Sequence, residues 1–252
     1  MKIFFSILLA LSSLFTSQLV QAKTVNYFVI AKQAMPFQII EAQKHHSGIV
    51  SDIVQQLFTQ SEYQIDYHTY PFNRMISLLE SGQEHNWVTY GSPQWGGVQA
   101  ENLSQDPIYK VRHGLLTNAK SDFRFRKISD MQGKIFVLLD GFDYPTLMPY
   151  IENGMIEELR VKDYASAFRI LDKLPNDAVF VEMKSRIKYN LKMQSQPLDK
   201  YNLQDFSKVI ASYPIYLALD PQMDASMQDF INQRLSALKD SGQLKRIVRN
   251  YL

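Results

Sequence analysis

Gly48 to Ser61 reads GIVSDIVQQLFTQS. Ile49, Val50, Ile53, Val54, Leu57 and Phe58 recur at the helical period and make one apolar face. A strand-like run, TVNYFVIA (Thr24–Ala31), precedes this helix, and another, YQIDYHTYP (Tyr63–Pro71), follows it. A helix that crosses between two strands leaves them parallel and packs on their face. This unit sets the fold class as α/β, and the pattern continues outward from it.

Between the first strand and the helix lies KQAMPF (Lys32–Phe37), a proline-bearing turn. After the second strand, FNRMISLLESG (Phe72–Gly82) returns to helical spacing, with Gly82 as its stop. NWVTYG (Asn86–Gly91) is a third strand. The pattern then restarts. DMQGKIFVLLDG (Asp130–Gly141) is a strand running into a turn. YASAFRILDKL (Tyr164–Leu174) is a helix with Ala167, Phe168, Ile170, Leu171 and Leu174 inward, and DAVFVEM (Asp177–Met183) is a buried strand. The stretch Tyr164–Glu182 echoes Tyr70–Thr89 in order of elements, though not in sequence, which predicts two α/β lobes. VIASYPIYLALD (Val209–Asp220) reads as a further strand. Two amphipathic helices close the chain, the first with Asp224 at its N-cap. Lys239, Lys245, Arg246 and Arg249 on these helices read as a solvated face rather than a site for anionic membranes.

The first residues, MKIFFSILLALSSLFTSQLVQA, have a basic start, an apolar run from Ile3 to Leu14 and a small-x-small pattern at Val20 and Ala22. They predict an export signal (residues 1–22) cleaved after Ala22 and a periplasmic mature chain. The apolar run is shorter than the ~20 residues of a membrane span. The absence of cysteine excludes disulfides, thiolate zinc sites and a lipidated cleavage cysteine. With 27 basic and 25 acidic residues and no basic block, nucleic acid is excluded as a partner.

The least regular stretch is YGSPQWGGVQAENLSQDPIY (Tyr90–Tyr109). Its glycines and prolines break helix and strand alike, yet it carries one of only two tryptophans, Trp95. Trp95 either covers the edge of a core or lines a ligand cleft. Ligands of open α/β sheets bind beyond the carboxyl ends of the strands. That rule selects Phe37 after the first strand, Tyr70, Asn73 and Arg74 after the second, and Ser92 and Trp95 after the third. In the second lobe it selects Asp143, Tyr144 and Glu182. Arg74, at a helix start, is a candidate anchor for an acidic group; the alternative is a surface pair with Glu41 or Asp66. Glu182 either meets a ligand or caps the helix that follows.

The order of these pieces resembles the bacterial extracellular solute-binding proteins of family 3, which have the type II periplasmic-binding-protein fold. GIVSDIVQQLF (Gly48–Phe58), LLESG (Leu78–Gly82), PIY (Pro107–Tyr109), ISDMQGKIFVL (Ile128–Leu138) and LSALKDSGQLKRIVRNYL (Leu235–Leu252) are similar to successive family motifs. The resemblance implies two lobes, residues 23–118 with 212–252 and residues 119–211, with a small solute held between them. It places the crossings near Thr117–Ser121 and Phe206–Ser212 and returns the C-terminal helices to the first lobe. It puts Glu182 where the family often has an aspartate for a ligand's amino group. Tyr109, within PIY, is a further candidate, and Arg112, just after it, is the second candidate anchor for an acidic group. It implies no cofactor, a monomer, and a membrane permease of an ABC importer as partner.

One departure is specific. Amino-acid-binding members carry a threonine-x-x-arginine element after the third strand, whose arginine clamps the α-carboxylate. Here the stretch is YGSPQWGG, with Gln94 and Trp95 and no arginine. Neither residue offers a charged bidentate fork. The expected solute has a ring-like body and at least one charged group.

The rival readings are a dehydratase-like enzyme on the same fold, with Glu182 as acid or base, and a sensor that signals to a membrane receptor. Metal chemistry is disfavoured, because the adjacent His45 and His46 point apart on any regular element. No Gly-x-Ser-x-Gly elbow or phosphate-binding glycine loop is present. Glu157 and Glu158 read as a solvated helix face.

The missing arginine predicts that a thermal-shift screen of the common α-amino acids gives few or no strong hits. A true ligand at a hundred times its Kd stabilises by about 2.7 kcal/mol, so a large shift with a neutral amino acid would contradict the reading of SPQW.

Overall fold

The computed structural model describes residues 23–41 and 46–252. The expected signal segment, its cleavage after Ala22, and His45 lie outside the described residues. Strand β1 (Lys23–Ile30) is followed by the short pair β2 (Ile39–Ile40) and β3 (His46–Ser47), then by helix α1 (Ile49–Phe58) and β4 (Tyr63–Tyr70). β1 and β4 are parallel along their full length, Lys23 opposite Tyr63 and Ile30 opposite Tyr70. All six apolar residues of the α1 face are buried. Gly48 precedes α1 at φ 108°, where a Cβ would lie 2.7 Å from the carbonyl oxygen of Phe37. Only glycine fits that approach.

Helix α2 (Phe72–Glu80) and strand β5 (Trp87–Gly91) extend the unit, followed by the short helix α3 (Val98–Glu101) and β6 (Tyr109–Val111). Then come β7 (His113–Asn118), β8 (Lys134–Leu139), α4 (Met148–Glu152), β9 (Ile156–Val161), α5 (Tyr164–Lys173), β10 (Ala178–Met183), α6 (Lys184–Met193) and β11 (Tyr201–Asp205). Strand β12 (Tyr213–Leu219) and helices α7 (Ala225–Asp240) and α8 (Gln243–Tyr251) complete the chain. Two five-stranded sheets result, ordered β4-β1-β5-β12-β6 and β11-β7-β10-β8-β9.

Each sheet has a parallel centre, as the helix-crossed strands require, but both are mixed. β12 runs antiparallel to β5 and β6, and β7 runs antiparallel to β10 and β11. The antiparallel members are the segments next to the crossings between sheets. The outward crossing lies at Arg112, earlier than the expected Thr117–Ser121. His113–Asn118 is buried throughout and is inserted between β10 and β11 of the second sheet. The return runs between β11 and β12, residues 206–212; Val209–Ser212, read as part of a strand, is loop. Glu157 and Glu158 sit on β9, an edge strand rather than a helix, with Glu158 paired to Arg160.

The first lobe has one core, joined by Ile231, Leu235, Leu244 and Ile247 of the C-terminal helices. Tyr251 of α8 donates to Asp52 of α1 at 2.7 Å and accepts from the Gly48 backbone N–H at 2.9 Å, tying the chain end to the deciding helix. Asp224 sits at the N-cap of α7 without a capping side-chain bond. The second lobe has a core on each face of its sheet.

At the end of β5, a Cβ on Gly91 would stand 1.9 Å from the Gln99 carbonyl oxygen and 3.1 Å from Ala218 Cβ. Gly91→Ala therefore displaces the loop behind Trp95 and should cost about 3 kcal/mol in urea unfolding. A loss below about 1 kcal/mol would show that the strand and loop do not press together as described.

Candidate functional site

The carboxyl ends of β5 and β10 face each other across the gap between the sheets. After β5, the loop folds back through Ser92 N–H to the Gln99 carbonyl and Gln99 Nε2 to the Tyr90 carbonyl, at 3.0 and 2.7 Å. Ser92 Oγ donates to the Pro214 carbonyl at 2.9 Å, fastening the loop to β12. This presents Trp95 edge-on to Tyr90, with its indole N–H donated to the Tyr213 hydroxyl at 3.1 Å.

From the other side, β10 delivers Glu182 and the first turn of α6 delivers Arg186. Both are almost fully buried, at 3% and 2% exposure. Glu182 Oε1 accepts from the Met183 N–H at 2.6 Å, and Oε2 lies 3.6 Å from Arg186 Nη1 and 3.5 Å from the Tyr164 hydroxyl. Arg186 then crosses the gap. Its Nη2 donates to the Tyr90 hydroxyl of the first sheet at 3.0 Å. Its guanidinium carbon lies over the ring of Phe37 of the first lobe, 5.6 Å from the centroid, and over that of Phe142 of the second, at 5.0 Å. Its Nε has no partner, and neither has Nδ1 of the buried His113 on β7.

Tyr90, Trp95, His113, Phe142, Glu182, Arg186 and Tyr213 line an inner chamber of about 370 Å³, with aromatic rings from both lobes. A wider vestibule of about 590 Å³ adjoins it through Phe72, Trp95, Phe142 and Asp143, with Glu80, Asp140 and Arg160 at its rim. The lobes touch elsewhere along the cleft. Gln33 Nε2 donates to the carbonyl oxygens of Lys162 (2.8 Å) and Asp140 (3.3 Å), and the rings of Phe72 and Phe142 meet at 5.3 Å.

Burial raises the Glu182 carboxyl above the ordinary range, and the adjacent guanidinium partly reverses that. Burial works against the charge of Arg186, but Tyr90 and Glu182 more than offset it, so the guanidinium stays protonated. Burial pushes Tyr213 up to about 12 and holds Tyr90 above its usual value, so both remain hydroxyl donors. Burial, with Arg186 nearby, lowers His113 to about 4, and its ring is neutral at neutral pH.

Of the residues selected from sequence, Trp95, Asp143, Tyr144 and Glu182 line the inner chamber. Phe37 is fully buried behind it, stacked on Tyr90 and crossed by Tyr109. Ser92 is buried and acts through the loop. Asn73 lies on the vestibule. Tyr70 packs on Phe28 and lines neither space. Arg74 and Arg112 are exposed and line neither space; no ion pair among the described residues includes Arg74. Glu182 meets the N–H of its neighbour Met183, but α6 has no side-chain cap, and Glu182 lines the chamber. Sequence reasoning missed Arg186, Tyr90, His113 and Tyr213. The signal for Arg186 was its place four residues beyond Glu182, one helical turn past the strand end.

His113 generates a test. Its pKa is lower in the folded chain than unfolded, so between pH 6.5 and about 4 the unfolded chain binds more protons. Stability contributed by the neutral ring is full above pH 6.5 and is lost as pH falls toward 4, by about 3 kcal/mol at most. His113→Asn should flatten the pH dependence of unfolding across that window. An unchanged slope would show that His113 is not held neutral by its surroundings.

Comparison with known proteins places this geometry. No curated protein matches the sequence. Among solved structures, the ligand-binding core of GluR0 in complex with L-glutamate is similar at TM-score 0.71 and 14% identity, covering 92% of this chain and 99% of that one. A structure from work on glutathione import via GshT and the cystine ABC importer TcyBC of Streptococcus mutans is similar at TM-score 0.71 and 20% identity, over 91% and 94%. A histidine kinase sensor domain with similarity to periplasmic binding proteins follows at 0.70 and 17%, over 92% and 96%. At such identities these structures show the two-lobe fold alone. The family model for bacterial extracellular solute-binding proteins, family 3, matches residues 28–252, and to that family the chain belongs.

Proposed function

We propose that the protein captures a small charged solute in the inner chamber by closing its two lobes, and presents it to a membrane importer from the periplasm. The observation that carries this reading is the chamber itself. Tyr90, Trp95 and Tyr213 come from one sheet or its loops, Phe142, Glu182 and Arg186 from the other, and Arg186 reaches the opposite lobe. A solute that contacts both walls stabilises the closed form by its differential affinity. The first lobe takes residues 23–112 and 213–252, and the second takes 113–212, with Arg112 and the loop after β11 as hinges. Residues 1–22 direct export. A binding role is favoured over catalysis because Glu182 is already engaged by the Met183 N–H and Arg186, which leaves it poorly placed to exchange a proton with a solute.

The test uses the protein purified from its own periplasm, with its solute identified by native mass spectrometry and then removed. Adding that solute back should shrink the radius of gyration in small-angle scattering and change tryptophan fluorescence. Trp95→Phe should abolish most of the fluorescence change, because Trp95 lines the chamber whereas Trp87 is 1% exposed within β5. The solute should be recovered unchanged. A fluorescence change that survives Trp95→Phe and disappears in Trp87→Phe, or a chemically altered solute, would overturn the reading.

A further inference from the structure

We infer that the inner chamber selects a ring-bearing carboxylate that carries no ammonium group. The inference rests on the solute-binding reading above and narrows it to a ligand class.

The guanidinium of Arg186 has five N–H donors. One is bonded to Tyr90; the approach to Glu182, at 3.6 Å, is an ion pair too long for a hydrogen bond, and Nε meets nothing. The N–H groups of a planar guanidinium all lie in its plane, so the unfilled capacity is along its edge. A planar carboxylate docks on that edge with two parallel bonds. A buried donor left without an acceptor is costly, so an incoming acceptor recovers that cost on binding. His113 lines the same chamber and has a second unfilled atom, its buried Nδ1. In the tautomer protonated at Nδ1, its neutral ring donates to an anion.

The acidic side offers no matching vacancy. Glu182 is the one carboxylate deep in the chamber, and the Met183 N–H, the Tyr164 hydroxyl and Arg186 already face its oxygens. An ammonium group would have to displace the chain's own guanidinium to reach it. Asp143, the other acid on the chamber, is exposed at the rim. The walls are aromatic, and about 370 Å³ is at the small end of ligand pockets, which suits a single ring with a short acidic arm.

Calorimetry at neutral pH with three probes that share one phenyl ring tests this: hydrocinnamate, phenylalanine (the same skeleton with an ammonium group) and phenethylamine (the amine without the carboxylate). Hydrocinnamate should bind at least about tenfold more tightly than phenylalanine, and phenethylamine should not bind. Arg186→Gln should weaken hydrocinnamate by about thirtyfold or more. Glu182→Gln should tighten it severalfold, since the arginine then loses its competing anion. If Arg186→Gln does not fold, the order of the probes and the effect of Glu182→Gln decide the matter. The inference is overturned if phenylalanine binds as well as hydrocinnamate, if phenethylamine binds, or if none of the three binds at millimolar concentration. A purified solute that carries an ammonium group and still closes the lobes would overturn the ligand class while leaving the solute-binding reading intact.

Discussion

A single buried guanidinium sits where the two lobes meet. Arg186 is rooted in the second lobe, paired with Glu182 beneath it, and bonded to Tyr90 of the first. Taking such a charge out of water is expensive unless it is paired and hydrogen-bonded. Removing one partner of a buried pair typically costs about 3–5 kcal/mol, because the other charge is left alone. The seam therefore constrains the chain on both sides. Glu182 must end its strand in register, Tyr90 must end β5 opposite it, and Phe37 and Phe142 must bring their rings against the charge.

The topology meets these demands through the strands next to the crossings. β7 places Gly114 opposite Glu182 and His113 opposite Met183. A Cβ on Gly114 would come within 2.6 Å of the Leu203 side chain and 2.9 Å of the Lys184 side chain, both of which would have to shift. Lys184 N–H donates to the Arg112 carbonyl at 2.8 Å, which joins the start of α6 to the outward crossing between the sheets. Met183 buries its side chain in the first lobe's core. The helix that carries Arg186 is thus anchored at the point about which the lobes would move.

Much of the fold was legible because it rests on local periodicity. The α1 face, the β1–α1–β4 unit and the C-terminal helices follow from apolar spacing, and strand ends located Trp95, Asp143, Tyr144 and Glu182. What escaped was set by partners distant in sequence. HGLLTN has no turn signal before it, so β7 could not be separated from the preceding run. IEELRV (Ile156–Val161), around Glu157 and Glu158, is polar because β9 is an edge strand, and an edge looks like a solvated helix face in sequence. Arg186 stands among Lys184, Lys188 and Lys192 and reads as one more surface cation. Only the fold reveals that one turn of α6 points it into the cleft, while Arg74 and Arg112, which sat at more suggestive sequence positions, remain in solvent.

The central claim is that Arg186, and not an arginine after the third strand, receives the acidic group of the solute. The most direct measurement is the Nε–H resonance of Arg186 by heteronuclear NMR, assigned through its disappearance in Arg186→Lys. The account predicts a large downfield proton shift and slowed exchange of this resonance when hydrocinnamate saturates the protein, with exposed arginines such as Arg74 and Arg112 unmoved. Saturation that leaves the Arg186 resonance in place, or that moves Arg74 or Arg112 instead, would contradict it.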